Sequence, residues 1–361
     1  MKQRFEVLDT FRGFFSFLVA LFHLANLNNS FLVQNMFVKN AYLFVDFFFV
    51  LSGFVIAYNY EAIIVSAKDL LNFFNKRFFR LFPLHLAVLL IFLVYVIGRN
   101  SFGHPFTEMQ WHEYSKETFF TTLFFVNSIK FPRIDYLSWN TVSWSISAEA
   151  ISYCVFGILM IVLSNYKKLK LLFYVCIVVL SYAALKFLNG DFYLFQTFQN
   201  GFLRGLVGFF TGCISFKIYM KIKDYKLSFN FASLLETGFL LVAVSTVCLG
   251  KYLSGYGFIY EIVFMGTLLI FAFERGALSK FFLSIPILKK LGKISYSIYL
   301  NQIIVLILFD IAFKKFSRAN QFIDTGLVCA ISVVLFLVSW WTYNNIERRF
   351  MRGIKKATKN S

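Results

Sequence analysis

Charged residues are scarce in this sequence. Asp, Glu, Lys and Arg make up 15% of its 361 residues, against roughly 25% in ordinary soluble domains, and that shortage excludes a solvated globular chain. Cysteine is sparse as well. Cys154, Cys176, Cys213, Cys248 and Cys329 all lie in apolar runs, and no two stand at CxxC spacing. An odd count so placed argues against a disulfide framework and a zinc site, and leaves small buried hydrophobes. There is no internal repeat, no low-complexity segment and no Pro/Gly-rich linker. The chain therefore reads as one domain over residues 1–350 followed by a basic tail, 351–361.

What is present is apolar length. Hydrophobic residues reach 59%, with a mean hydropathy of +0.68. Runs of about 20 apolar residues recur, enough to cross a ~30 Å hydrocarbon core at 1.5 Å per residue. Ten spans are expected, at 8–27, 41–60, 81–98, 141–163, 170–188, 200–218, 229–249, 257–273, 294–313 and 325–345. The expected fold is an all-α polytopic membrane bundle of about ten transmembrane helices. Phe119 to Val126 is too short to span and reads as interfacial or re-entrant. The first apolar stretch has no A-x-A site and carries Arg12 and His23, which a cleaved signal peptide would not.

The net charge of +18 would suit nucleic acid, but the basic residues sit in loops. With ten crossings, 24 of the 36 Lys and Arg fall on the side holding both termini and nine on the other. That bias makes both termini cytoplasmic, rejects a nucleic-acid partner and leaves membrane lipid as the surroundings. The longest external loop, Arg99 to Lys116, holds His104, Glu108, His112 and Glu113, with Glu117 beside it. These are scattered and read as a solvated loop without a metal. Gly201, Gly205, Gly208 and Gly212 form a small-xxx-small stripe for close helix packing.

A charge inside a span costs several kcal/mol and needs a reason. Arg12 and His23 are eleven residues apart, so a helix puts them within about 20° on one face and ~16 Å apart along the axis. Asp46 and Glu149 lie in inward-running spans. With His23 they are expected in the external half of the membrane, where an acid/base site forms if these helices pack together. A structural ion pair is the competing reading. Arg77 and Arg80, spaced i,i+3, stand at the cytoplasmic entry to span three, either as anchors or as an anion site, since guanidinium forks suit phosphates. His85 reads as a packing residue.

These segments together resemble the acyltransferase 3 family of integral membrane acyltransferases, over almost the whole chain. Arg12 with His23 is similar to its R-x10-H signature. Asp46-Phe-Phe-Phe-Val-Leu-Ser-Gly-Phe54 resembles its second-span motif, and Arg77-x-x-Arg80 its R-x-x-R motif. Trp144-Ser145-Ile146-Ser147-Ala148-Glu149 resembles its W-S-[LI]-S-x-E motif, and Leu291 to Leu300 its late L-G-x-x-S-Y-S-x-Y-L stretch. Many relatives have Trp-His where Asn301-Gln302 stand here.

The resemblance implies transfer of an acyl group, acetyl from acetyl-CoA, to a hydroxyl of a surface glycan or lipid-linked saccharide at a bacterial inner membrane. It implies His23 as general base or acyl carrier, with Glu149 or Asp46 orienting it. It also implies Arg12, Arg77 and Arg80 on the CoA phosphates, and Trp144, Ser145 and Ser147 at the substrate. No metal is implied. Polysaccharide-assembly proteins or a second copy of the chain are the partners it admits. A transporter or flippase, another acyl group such as succinyl, and a non-glycan acceptor are the competing readings.

Overall fold

The computed structural model describes residues 4–25, 29–101, 114–132, 134, 139–189, 199–253, 255–316 and 320–357. The apolar runs are helical, as they must be where each backbone N–H and C=O has to find its partner within its own segment. In chain order the helices are α1 (Glu6–Ala25), the short α2 (Met36–Lys39), α3 (Phe44–Tyr60), α4 (Ala67–Ser101) and the short α5 (Lys116–Leu123). Then come α6 (Ser143–Val162), α7 (Lys170–Asn189), α8 (Gly201–Ile222), α9 (Phe229–Cys248) and α10 (Phe258–Phe271). The short α11 (Ala277–Ser284), α12 (Pro286–Phe316), α13 (Gln321–Thr342) and α14 (Arg348–Ala357) complete the chain.

Among the described residues nine helices are long and apolar enough to cross a membrane, and α10 is a shorter apolar helix of 14 residues. The protein is a polytopic helical membrane bundle. Each of the ten expected spans coincides with one of these helices. The loop carrying His104, Glu108, His112 and Glu113 lies outside the described residues.

Packing directions test the span count. Along α3 and α8, Asp46 meets Arg204 and Gly53 meets Phe209, so the two helices run parallel. Along α6 and α8, Trp144 meets Gly201 and Ala148 meets Gly205, again parallel. Three spanning helices separate α3 from α8. A further crossing at Phe119 to Val126 would make the pair antiparallel. Instead α5 ends in a turn with Phe125 at φ 57°, and the Phe125 and Thr122 carbonyls are held by Ser147 and the His85 ring. That contact gives His85 a packing role.

Helix α4 starts earlier than its apolar run. Ser66 and Asp69 form a capping box, with Ser66 N–H donating to Asp69 Oδ2 at 3.0 Å and Asp69 N–H to Ser66 Oγ at 3.2 Å. The helix then runs 35 residues to Ser101, through Pro83. Arg77 and Arg80 thus stand inside a continuous helix instead of at its entrance. At the other terminus a π turn at Tyr343–Glu347 carries α13 on into α14.

The core sits where α1, α3, α6, α8 and α12 pack together. Helices α1 and α3 are antiparallel, with Phe15 stacked on Phe44 at 4.0 Å and Phe5 edge-on to Phe54. Helices α1 and α12 are parallel and close, with Gly13 against the Leu291–Gly292 backbone. On the periphery, α7 and α9 turn Val179, Leu180, Leu234 and Leu241 outward, as lipid-facing helices do. The end of the bundle holding the start of α1 is called the basic end below, after its Lys/Arg-rich loops.

The α3–α8 seam leaves no room for side chains. A Cβ on Gly53 would lie 1.7 Å from the Phe209 carbonyl oxygen. Gly53→Ala is therefore expected to cost at least ~1–3 kcal/mol from overpacking. Gly98→Ala, where a Cβ meets nothing within 4 Å, should be neutral or stabilising by up to ~1 kcal/mol. Thermal unfolding of the detergent-purified variants reads both.

Candidate functional site

Helix α3 positions the site by using its two faces differently. At 100° per residue, Asp46, Val50 and Gly53 share the face against α8, while Phe48, Ser52 and Val55 share the opposite one. That second face borders a cavity of about 130 Å³. Helix α6 contributes Ser145, Glu149 and Tyr153 at successive turns, and α4 contributes Arg77 and Arg80. Helix α1 adds Arg12 and Ser16, and α12 adds Ser295, Tyr296 and Tyr299.

The cavity is rich in positive charge. Arg12 donates from Nε to Ser295 Oγ at 2.8 Å and from Nη2 to the Gly292 carbonyl at 3.1 Å, with Asp9 at 3.5 Å. Arg77 donates to Tyr60 Oη at 3.1 Å and lies over the Tyr60 ring, 5.2 Å from its centroid. Arg80 makes no hydrogen bond or ion pair with any described residue. Facing these three guanidiniums along the wall is one carboxylate, Glu149, whose Oε1 accepts from Ser52 Oγ and Tyr153 Oη, both at 2.5 Å. A second acid, Glu347, is buried behind them in the π turn and accepts from Ser297 Oγ at 3.0 Å. The wall thus carries more cation than anion, with donors of fixed geometry, and it suits an anion bearing phosphates or carboxylates.

Of the residues expected from sequence, Arg12, Arg77, Arg80, Glu149 and Ser145 come together on this cavity. Asp46 does not join them. Its two oxygens are taken by Arg204 of α8, Nε to Oδ1 and Nη2 to Oδ2, both at 2.7 Å. The pair is buried, with relative exposures of 2% and 0%, and Arg204 also lies over the Trp144 ring at 5.3 Å. Trp144 is therefore a packing partner of that pair. Ser147 is a packing residue too, bonded to Ser128 Oγ at 2.7 Å and to the Phe125 carbonyl at 2.7 Å.

His23 stands apart, half-buried beside Phe22 and without a hydrogen bond or ion pair to the described residues. Helical register explains the separation. Phe15 lies opposite Phe44, the first residue of α3, so eight further residues carry His23 ~12 Å beyond the start of that helix. Glu149 lies deeper than Asp46, since its partner Ser52 is six residues further along α3.

Ser52, Tyr153, Ser295, Tyr299 and Arg204 were not singled out as site or pairing residues from sequence. Four carried a local signal. Tyr153 is one turn from Glu149 on the same face, and Ser52, Ser295 and Tyr299 lie inside motif stretches. Arg204 signalled only that a lone charge in a span needs a partner, which sequence does not name.

A helical membrane bundle enclosing a cavity lined by guanidiniums and hydroxyls is the class that fold and site define. A family model described as acyltransferase domain matches residues 5–344. The chain belongs to this family, acyltransferase 3. "Protein 2 in picA locus" of Rhizobium radiobacter is 36% identical over 104 residues, covering 28% of this chain and 51% of that protein. The match thus spans about half the length of that curated relative. No solved structure matches.

The Asp46–Arg204 pair makes a stability prediction. Removing one partner leaves a buried charge unpaired, so Arg204→Met is expected to cost ~3–5 kcal/mol. Asp46→Leu combined with Arg204→Met should recover much of that loss. Denaturation midpoints in detergent for the two singles and the double provide the check.

Proposed function

We propose that the protein takes an acetyl group from acetyl-CoA at the basic end of the bundle and transfers it to a glycan hydroxyl on the opposite side. The observation that carries this reading is the cavity: three guanidiniums, one of them without a hydrogen bond or ion pair to any described residue, on a wall whose one carboxylate is Glu149, with Asp9 beside Arg12 and Glu347 behind. The positive-inside bias turns the basic end toward the cytoplasm, where acyl-CoA is found. Planar guanidinium forks match phosphate oxygens in pairs. Arg77 and Arg80, from the helix that reaches the cavity from the basic end, take the CoA phosphates. Glu149 offsets one positive charge, so the anion is held without being trapped.

Arg12, Ser16 and His23 form one stripe along α1, at i, i+4 and i+11, that rises from the cavity. The ~16 Å between Arg12 and His23 is of the order of the pantetheine arm's reach. On this reading Arg12 steadies the arm, and His23 takes the proton of the acceptor hydroxyl as its oxygen attacks the thioester carbonyl. The C–S bond breaks, the ester forms, and CoA leaves as the thiol. Asp46, occupied by Arg204, holds the bundle together and takes no part in the chemistry. The acceptor is a surface glycan or a lipid-linked saccharide, and the membrane is a bacterial inner membrane.

Purified protein with radiolabelled acetyl-CoA and an extracted glycan acceptor tests the assignment. His23→Ala, expressed at the normal level in the membrane, is expected to abolish labelling of the acceptor; undiminished turnover would remove His23 from the chemistry. Arg77→Ala with Arg80→Ala is expected to raise KM for acetyl-CoA at least ~10-fold, since each charge-assisted bond contributes ~1.5–3 kcal/mol. An unchanged KM would return both residues to membrane anchoring.

A further inference from the structure

The cavity has a closed end. Along α6 and α12 the lining residues farthest from the basic end are Ser145 and Tyr299, and Ser145 Oγ donates to Tyr299 Oη at 2.7 Å. Phe48 of α3 meets the Tyr299 ring edge-on, with centroids 6.1 Å apart. Three helices are thus tied together across one level.

Beyond that level the packing is tight. Asn140 Nδ2 donates to the Leu300 carbonyl at 3.0 Å, and both residues are buried. Gln302 Nε2 turns back to the Tyr299 carbonyl at 3.0 Å. A separate void between α1 and α12 holds about 10 Å³.

We propose that Phe48 and Tyr299 are the ceiling of the acyl-donor cavity and restrict the donor to short acyl groups, with acetyl the preferred one. The inference rests on the acyl-CoA reading above. With the phosphates on Arg77 and Arg80, the pantetheine arm points along α6 toward Ser145, and the acyl carbon arrives beneath the Tyr299 ring. A two-carbon group fits there among hydroxyls. A longer chain meets the Phe48 and Tyr299 rings and, beyond them, the buried Asn140–Leu300 contact. Its methylenes would instead lie against Arg12, Ser295 and Ser145, and gain little from leaving water. The same ceiling lies between the cavity and His23, so the thioester reaches the acceptor hydroxyl at His23 only when the Ser145–Tyr299 bond opens.

A donor series tests this with the full-length protein in detergent. Acetyl-, butyryl- and octanoyl-CoA are compared by CoA release and by ester formed on the acceptor. The wild type is expected to prefer acetyl over octanoyl by about 100-fold or more in kcat/KM, within the range that pocket walls impose for a few methylenes. Phe48→Ala is expected to raise the octanoyl-to-acetyl ratio at least about tenfold. Phe48→Leu, a milder truncation for the case where Phe48→Ala fails to fold, is expected to raise the butyryl-to-acetyl ratio. Tyr299→Phe keeps the ring and loses the hydroxyl bond; it is expected to keep the length preference while releasing more CoA without ester formed.

A wild type that uses octanoyl-CoA as well as acetyl-CoA would overturn the ceiling and leave the acyltransferase reading standing. So would truncations at Phe48 that leave the ratios unchanged. A wild type that releases CoA from none of the three donors would overturn the acyl-CoA reading itself, and the ceiling with it.

Discussion

The bidentate pair of Asp46 and Arg204 is the interaction on which the architecture depends. Two opposite charges with almost no exposure cannot be left singly in a low-dielectric bundle, because the desolvation of each is recovered only by the other. Their pairing fixes the register of α3 on α8. The glycine seam at Gly53 and Gly212 lets the two backbones approach closely enough for that pair to close. Once α3 is pinned on one face, its other face has a defined position. Ser52 then meets Glu149 of α6, and Phe48 meets Tyr299 of α12.

From that frame the polar interior separates into regions with different work. The Asp46–Arg204 pair, with Trp144 against it, is buried and closed. The arginine cavity holds a guanidinium, that of Arg80, with no hydrogen bond or ion pair to any described residue, whereas both members of the Asp46–Arg204 pair are fully engaged. His23, near the far end of α1, has no hydrogen bond or ion pair among the described residues and is not fully enclosed. On the function proposed above, donor binding and acceptor activation lie at the two ends of one helix stripe, as suits chemistry that starts on one side of a membrane and finishes on the other.

Sequence made the spans legible because bilayer thickness sets their length and leaves few charges inside them. All ten coincide with helices, and treating Phe119 to Val126 as a non-crossing segment agrees with the parallel packing of α3 and α8. Pairs along one helix were legible for a similar reason. Arg77 and Arg80 share a face whatever surrounds them, and so do Arg12 and His23. The family was legible from motif order, and the family match covers residues 5–344.

Partners across helices were a different matter. Depth read from span ends grouped His23, Asp46 and Glu149. In the bundle Asp46 belongs to Arg204, Glu149 belongs to Ser52 and Tyr153, and His23 belongs to neither. The α-helix has fixed rise and rotation, so sequence by itself determined length, direction and which residues share a face. Which faces meet depends on close packing among many side chains and on where lone charges find their counter-charges. Only the tertiary structure decided that, and with it which of the buried charges are structural and which line the cavity.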